Sequence, residues 1–424
     1  MNELKNLSEF IKESTTSFAM VNTVEKFLKQ NGFTCLRADN SWEIEAGGSY
    51  FIKSHESSMI AFKIGDKVEE GEGIRMVAAH TDSPCLRIKP NPDIKEEVYE
   101  KVNIETYGGA ILNTWLDRPL GISGQIALKG EDVWHPKMVT YSSKKPLLTI
   151  PNLSVHLNRE VNKGMELNKQ VDMIPILGLS ENGNFTEFLA KELSVDITDI
   201  LEYELFTYCM EEPAYLGTEG EFFSAPRLDN TVSVLAAMEG IINCHNDKGI
   251  QVIALFDNEE IGSRTRQGAG SKWLSNTLER IYLELGFSRI KFLESIEKSM
   301  LLSMDVSHAY HPNQGGRFDP KNHVYLNSGV TIKESASQSY ATDARGIAII
   351  MQLMKKYGIP FSKYVNRSDL IGGSTLGTIT TSFLPVLTVD VGIPLLAMHS
   401  ARELMGSKDQ MYLNQLVKAF FQDK

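Results

Sequence analysis

The sequence is poor in cysteine and contains no long apolar run. Its 424 residues include four cysteines, Cys35, Cys85, Cys209 and Cys244, and no two of them are closely spaced. Scattered thiols exclude a disulfide framework and a cysteine-rich zinc site, and they favour a reduced, cytoplasmic protein. No apolar stretch approaches the ~20 residues that cross a bilayer, and no basic cluster followed by an apolar core marks a secretory leader. We therefore expect no membrane partner.

Positive charge is also scarce. The chain has 43 Lys and Arg residues against 54 Asp and Glu residues, which gives a formal net charge of −11. Because nucleic-acid backbones are anionic, this balance argues against a nucleic-acid partner bound through broad electrostatics. The length suffices for two to three domains of about 150 residues each.

The chain shows two kinds of secondary-structure pattern. Residues 1–91 and 223–424 alternate helical stripes with short apolar strands, which predicts an α/β domain with a mostly parallel, mixed sheet flanked by helices. Residues 92–222 carry short strand patterns and glycine turns, and predict an inserted β-rich domain. Inside this insert a helix is expected at 185–193, and the run 197–205 can be interpreted as its continuation. The last helix is expected from about Arg402 to Phe421.

Chemically active side chains follow several of the predicted strands. Those directly beyond apolar runs are His80, the adjacent Glu259 and Glu260, Asp305 and His399. In sheets of this kind, ligands bind beyond the carboxyl ends of the strands. We therefore expect these side chains to meet at one edge of the sheet.

This set of side chains suits a divalent metal centre. Imidazoles and carboxylates without thiolate fit zinc, manganese or cobalt. One catalytic zinc needs three protein ligands, so five or six candidates indicate two metals about 3.5–4 Å apart. One carboxylate must then bridge the metals, and another must serve as general base for the attacking water. Asp82, two residues after His80, could orient its imidazole.

Each candidate also has an ordinary structural interpretation. Adjacent glutamates often form a solvated turn, and Asp229 stands where an aspartate can cap a helix. Lys333 can be interpreted as a solvated surface lysine. His156 can be interpreted as a hydrogen-bonded histidine in a β-domain. The shared position at strand ends favours a functional role for the glutamates. For Asp229, Lys333 and His156 the residues alone do not decide between a structural and a functional role.

Five short motifs occur in order along the chain. They are Ala79–Pro84 (AHTDSP), Arg227–Asn230 (RLDN), Asp257–Ser263 (DNEEIGS), Ser303–Asp305 (SMD) and Ala397–Glu403 (AMHSARE). Together they resemble the aspartyl aminopeptidase family of dinuclear zinc exopeptidases. The resemblance covers essentially the whole chain, and it implies that the insert is a dimerisation domain. One segment departs from it, since Thr16–Ala19 (TSFA) stands where members often carry Ser-Pro-Phe-His.

The resemblance implies a role for each residue of the metal centre. Four residues become terminal ligands of two divalent ions, zinc first and manganese or cobalt as alternatives: His80, Glu260, Asp305 and His399. Asp229 becomes the carboxylate that bridges the ions. Glu259 becomes the general base for a metal-bridged water, and Asp82 supports the first ligand.

Two further segments complete the implied site. Asn152–Arg159 resembles a loop whose histidine reaches a neighbouring subunit's active site, so His156 is expected to polarise the substrate carbonyl and stabilise the oxyanion. Ser328–Lys333 resembles the segment that supplies a lysine for the substrate's side-chain carboxylate, which implicates Lys333. His308 could line the same pocket or orient Asp305.

The implied activity is removal of amino-terminal Asp or Glu from peptides. The enzymatic alternative is the same chemistry on neutral, leucine-like residues, and a remote alternative is an assembly scaffold without turnover. The resemblance also implies a homo-oligomer, a dodecamer built from dimers whose chamber admits peptides. The glycine-rich segment Gly372–Gly377 lacks a P-loop lysine, so phosphate binding is not expected there.

Overall fold

The computed structural model describes residues 2–245 and 247–423. Its α-helices are α1 (Asn2–Glu13), α2 (Ser17–Gln30), α3 (Phe185–Leu193), α4 (Leu228–Asn243), α5 (Trp273–Glu284), α6 (Arg289–Lys298), α7 (Ala344–Tyr357), α8 (Leu376–Thr381) and α9 (Asp409–Gln422). Over the described ranges, no helix combines the length and the apolar character that a membrane crossing requires.

The strands number twenty within the described residues. In chain order they are β1 (Thr34–Leu36), β2 (Ser49–Ser54), β3 (Ser58–Ile64), β4 (Ile74–His80), β5 (Cys85–Glu96), β6 (Tyr99–Tyr107), β7 (Leu120–Leu128), β8 (Lys137–Ser142), β9 (Ile176–Leu179), β10 (Ile200–Cys209), β11 (Ala214–Leu216), β12 (Phe222–Ala225), β13 (Ile250–Phe256), β14 (Met300–Met304), β15 (Ser307–His308), β16 (Val330–Lys333), β17 (Phe361–Tyr364), β18 (Leu387–Gly392), β19 (Pro394–Leu396) and β20 (Glu403–Gly406).

The chain forms two compact units. The first comprises the described residues of 1–82, 213–398 and 403–424, and the second comprises 83–212 and 399–402. The sequence prediction placed the insert at 92–222. Its role in dimerisation stays a prediction.

A nine-stranded sheet organises the first unit. Its strand order is β1-β2-β3-β13-β4-β14-β18-β16-β17. The four central strands, β13, β4, β14 and β18, run parallel, whereas β3 and β16 pair antiparallel with β13 and β18. The prediction of a mostly parallel, mixed sheet is confirmed. Because the central strands are parallel, their carboxyl ends lie at one edge of the sheet.

The central strand β13 is buried on both faces. Ile253 and Leu255 join one hydrophobic core together with residues of α1, α2, α4, α7 and α9. Val252 and Phe256 join a second core with residues of α5 and α6. Successive side chains of a strand point to opposite faces, so the uninterrupted apolar run 252–256 supplies both cores.

Local sequence signals set the ends of several helices. At α7, the Asp343 side chain accepts a hydrogen bond from the backbone N–H of Gly346 at 2.7 Å. The helix ends at Gly358, whose φ of 68° lies in the left-handed region that glycine adopts readily. At α3, Asn184 and Glu187 form a reciprocal capping box.

The second unit contains a six-stranded sheet in the order β8-β7-β10-β5-β6-β9, and all its strand pairs are antiparallel. Helix α3 contributes Phe185 and Leu189 to the core of this unit. The interpretation of 197–205 as helix was wrong, because from Ile200 onward the chain pairs with β7 along its length.

The last helix also begins later than predicted. Residues 403–406 form β20, which pairs antiparallel with β12 and β19 in a five-stranded sheet of the first unit. Helix α9 therefore starts at Asp409 and not near Arg402. Long-range pairing overrides a helical pattern here.

Asp409 carries a buried carboxylate at the start of α9. It accepts backbone hydrogen bonds from Asn327 at 2.8 Å and Gly329 at 3.1 Å. Burial raises the pKa of Asp409 to about 7, although these backbone donors act in the opposite direction.

This pKa predicts a pH-dependent contribution to stability. A folded-state pKa above the unfolded value means that the contribution is fully present below about pH 4 and is lost as the pH rises through about 7. Between about pH 5 and about pH 8, we expect the wild type to lose roughly 2 kcal/mol of unfolding free energy relative to Asp409→Asn. Chemical denaturation at constant metal concentration measures the difference, and parallel pH profiles would contradict the expectation.

Candidate active site

Four of the five sequence motifs contribute side chains near the carboxyl edge of the central strands. β4 ends at His80, which lies beside Phe256 of β13, and Asp305 directly follows β14. Potential ligand atoms of His80, Asp229 and Glu260 all lie within 4.8 Å of one another. The structure thus brings together residues that are far apart along the chain.

Asp229 lies at the start of α4 and is buried. Its φ of −76° and ψ of 107° are not helical, and its Oδ1 lies 3.3 Å from Nε2 of His80. Its backbone N–H donates to Oε2 of Glu403 at 3.0 Å, and the neighbouring Asn230 donates from its side chain to the carbonyl of Met304 at 2.9 Å. These bonds fix the carboxylate of Asp229 toward the imidazole.

Asp305 lies between two cationic or potentially cationic groups. Its Oδ1 is 3.5 Å from Nε2 of His80, and its Oδ2 is 3.2 Å from Nζ of Lys333. Burial alone would raise the pKa of Asp305, but Lys333 and His80 hold it below the ordinary value. Lys333 and His80 therefore favour the anionic form of Asp305.

His80 is buried among carboxylates. Burial alone would lower the pKa of its imidazole, yet hydrogen bonds to Asp229, Asp305 and Asp82 hold the pKa well above the usual value. The carboxylates that favour a proton on this ring would also favour a metal cation bound to the ring in place of the proton.

Asp82 links His80 to the turn that carries the two glutamates. Its carboxylate accepts the backbone N–H of Glu259 through Oδ1 and that of Glu260 through Oδ2, both at 3.1 Å. Nδ1 of His80 lies 3.0 Å from the Asp82 carbonyl oxygen and 3.4 Å from its Oδ1. Asp82 thus contacts the imidazole and holds the backbone of both glutamates.

The turn itself is held by Asn258, which adopts a left-handed conformation with φ of 62°. Its carbonyl accepts from the N–H of Ser263 at 2.7 Å, and its side-chain oxygen accepts from the hydroxyl of Thr265 at 2.8 Å. Asp257 is buried just before it, and burial together with the charge of Asp82 raises the pKa of Asp257 to about 7. Asp257 and Asn258 shape the turn that presents Glu259 and Glu260.

Glu259 stands among further negative charges. Burial, followed by the charges of Asp305, Asp82 and Asp229, raises the pKa of Glu259 to about 8, whereas His80 acts to lower it. A carboxyl group with a pKa near neutrality can both accept and return a proton.

The buried cation Lys333 and the exposed His308 border one aromatic cluster. Nζ of Lys333 lies 5.3 Å from the ring centroid of Tyr340, and the His308 ring lies 5.9 Å from that of Tyr364. Tyr340 and Tyr364 pack together with Val324. These tyrosines carried no sequence signal, because Tyr364 reaches Lys333 only through the pairing of β16 with β17.

Two further predicted residues lie in the second unit. His399 is half-buried, and its Nδ1 lies 3.2 Å from the carbonyl oxygen of Gly109. His156 is exposed in a loop where the N–H of Leu157 bonds to the carbonyl of Ser154. Their roles as metal ligand and as oxyanion-stabilising residue stay predictions.

The residues of the first unit fit a divalent metal centre. Carboxylates of Asp229, Glu260 and Asp305 converge on one imidazole, and Lys333 supplies a positive charge on the far side of Asp305. Several buried carboxylates without a matching positive charge are costly. Oxygen and imidazole nitrogen donors of this kind suit zinc and similar ions.

Fold and donor set together define a metal-dependent hydrolase. The family model described as aminopeptidase I zinc metalloprotease (M18) matches residues 10–421. The chain belongs to this M18 family of aminopeptidases and is a metallo-aminopeptidase. The family expected from the five motifs is thereby confirmed.

Individual relatives resemble the chain over its whole length. The probable M18 family aminopeptidase 2 of Clostridium novyi (strain NT) is 44% identical over 421 residues, which cover 98% of this chain and 97% of that protein. The cryo-EM structure of the Ape4 and Nbr1 complex contains a chain with a TM-score of 0.94 and 35% identity, covering 99% of this chain and 85% of that one. The mApe1 dodecamer of S. cerevesiae shares the fold, with a TM-score of 0.86, 24% identity, and coverage of 98% and 95%.

The double backbone contact of Asp82 generates a prediction about metal affinity. In Asp82→Asn, an amide N–H₂ would face one of the two backbone N–H groups, so the turn that carries Glu260 would lose part of its anchor. We expect metal affinity to fall by about 10–100-fold, as is usual when the partner of a ligand is changed. Competition with a chromophoric chelator measures it, with exposed Asp39→Asn as the control. Wild-type affinity in Asp82→Asn would reject the role.

Proposed function

We propose that this metallo-aminopeptidase removes amino-terminal aspartate or glutamate from peptides. The observation that carries the proposal is the position of a buried cation, Lys333, against Asp305 and next to the His80, Asp229 and Glu260 cluster. A metal centre and a fixed positive charge in one region match a substrate with a scissile bond near an acidic side chain.

Two divalent ions, zinc first, are proposed to bind this cluster, where they would polarise the scissile carbonyl and lower the pKa of the attacking water. His80, Glu260 and Asp305 would serve as terminal ligands, and Asp229 would supply a carboxylate to both ions. His399 is proposed as a further terminal ligand on the basis of its motif. Asp82 keeps the imidazole of His80 and the turn at 259–260 in place.

Glu259 is proposed as the general base. Its carboxylate takes a proton from the attacking water and then delivers it to the leaving amine. Support comes from its position among the carboxylates of Asp305, Asp82 and Asp229 and from its raised pKa, since such a carboxyl group exchanges protons near neutral pH. Positive ions nearby would lower this pKa and keep more of Glu259 in the basic form.

The acidic preference is assigned to Lys333, with His308 as a second lining residue. An ammonium group has three N–H donors. Among the described residues, Asp305 Oδ2 and the Val306 carbonyl accept two of them, at 3.2 Å and 3.0 Å. The third donor can meet a substrate carboxylate, and the ring of Tyr340 limits the movement of the lysine.

The assembly is proposed to be a homo-oligomer, namely a dodecamer built from dimers. Support comes from the structural neighbour mApe1 of S. cerevesiae, which is a dodecamer. In such an assembly His156 would act on the substrate of a neighbouring subunit. A reduced, cytoplasmic location is also proposed, because the four cysteines are scattered along the sequence without the spacing of a disulfide framework.

Replacement of the base tests the proposed chemistry. We expect Glu259→Gln to retain the metal content of the wild type, because Glu259 is not assigned as a ligand, and to lose at least about 100-fold in kcat. Metal content by mass spectrometry and hydrolysis of aspartyl p-nitroanilide measure the two quantities. Full activity in Glu259→Gln would remove this residue from the base role, and loss of metal would make it a ligand.

The substrate preference is tested by comparing aspartyl, glutamyl and leucyl peptides. We expect the wild type to prefer the acidic residues, and Lys333→Met to reduce the ratio of aspartyl to leucyl kcat/KM by about 10–100-fold, the usual effect of losing a charged hydrogen bond. The ratio cancels any general effect on Asp305. Exposed Lys355→Met is the control. A wild-type preference for leucyl peptides would establish the neutral alternative.

A further inference from the structure

Asp390 is a fully buried carboxylate that the proposed chemistry does not use. It lies on β18 and is paired in register with Ser303 of β14, two residues before Asp305. A buried carboxylate is costly unless its oxygens receive hydrogen bonds. The donors that it receives therefore indicate what it stabilises.

The two oxygens of Asp390 hold two different segments. Oδ1 accepts the hydroxyl of Thr375 at 2.7 Å, and Oδ2 accepts the backbone N–H of Ala341 at 2.6 Å. One carboxylate thus joins the segment before α7 to the segment before α8. Both contacts are buried or partly buried.

The same two segments also form hydrogen bonds with each other. The N–H of Thr375 donates to the carbonyl of Ser339 at 3.3 Å, and the hydroxyl of Thr378 donates to the carbonyl of Gln338 at 2.9 Å. The backbone N–H of Asp390 donates to the hydroxyl of Thr342 at 2.9 Å. Segments 338–342 and 375–378 therefore form one assembly on β18, which we call the Asp390 clamp.

Gly377 shows how closely the clamp packs. A Cβ atom at this position would lie 2.7 Å from Oδ1 of Asp390 and 2.7 Å from the hydroxyl oxygen of Ser303. Real Cβ atoms do not approach other atoms so closely, so this position needs glycine. Part of the glycine-rich segment 372–377 is thereby explained by contact with Asp390.

The clamp reaches Lys333 through Tyr340. Tyr340 immediately precedes Ala341, whose N–H is bound by Asp390, and its ring lies 5.3 Å from Nζ of Lys333. If the bond to Ala341 were lost, the backbone next to this ring would lose its anchor to the sheet. The lysine would then lose one of the groups that confine it.

We propose that Asp390 is a positioning residue for substrate selection: through Ala341 and Thr375 it holds Tyr340 against Lys333, so that the ammonium is fixed where the acidic side chain of the substrate binds. This inference rests on the proposed acidic preference. It assigns to Asp390 no contact with the substrate or with metal.

The test separates the hydrogen bonds of Asp390 from its charge. Asp390→Ala removes both bonds, and we expect KM for aspartyl and glutamyl p-nitroanilide to rise about tenfold. The expected change in kcat, in KM for leucyl p-nitroanilide and in metal content is less than about twofold. Asp390→Asn can still accept from Ala341 and can donate to the hydroxyl of Thr375. It should therefore restore the wild-type KM, and a raised KM in Asp390→Asn would replace the positioning role with a charge effect.

Thr375→Val provides a second variant, because it removes one arm of the clamp without emptying the site of Asp390. We expect an intermediate rise in KM, confined to the acidic substrates. Glu239→Ala is the matched control, since its carboxylate accepts from Asn414 at 2.7 Å on α9 and touches neither segment of the clamp.

These experiments distinguish failure of the proposed acidic preference from failure of the positioning role of Asp390. If the wild type prefers leucyl substrates, the acidic preference fails and the role of Asp390 fails with it. If the wild type prefers aspartyl substrates while Asp390→Ala and Thr375→Val keep the wild-type KM, only the positioning role is overturned. An equal rise in KM for leucyl and aspartyl substrates also overturns it, because it would indicate general loosening of the site.

Discussion

The concentration of carboxylates around the single imidazole of His80 is the constraint on which the first unit depends. Asp229 and Asp305 both approach its Nε2, and Glu260 lies within reach of the same point. Such a group of anions is unfavourable in a buried place unless cations balance it. The cations that the family's chemistry requires would therefore also balance the negative charge of this part of the fold.

Backbone hydrogen bonds help to keep this group of anions in place. Asp82 accepts the N–H groups of Glu259 and Glu260, and Glu403 accepts that of Asp229. A carboxylate that binds an N–H group of the main chain fixes the position of the whole residue, whereas a side-chain contact fixes only one end. The residues proposed as ligands thus stand on a preorganised backbone, which tight metal binding would require.

Similar contacts extend from the carboxylate cluster around His80 toward the region proposed for the substrate. Lys333 pairs with Asp305, its ammonium faces Tyr340, and the segment of Tyr340 is bound by Asp390. Hydrogen bonds of Asp390 and the ion pair of Lys333 with Asp305 thus connect β18, the lysine and the carboxylate cluster. A change at any one of them is expected to be felt at its neighbours, since additivity fails for residues that share partners.

The sequence alone determined the elements whose signals are local. Apolar runs that end in polar residues located β4, β13 and β14, and with them His80, Glu259, Glu260 and Asp305 at one sheet edge. Only the tertiary structure decided what depends on distant pairing: that 200–209 is a strand, that β20 precedes α9, and that Glu403 binds Asp229. It also placed Tyr340 next to Lys333, and Asp390 against the segment that carries Tyr340. Strand periodicity and turn residues are read over a few positions, whereas these contacts join residues that no local pattern relates.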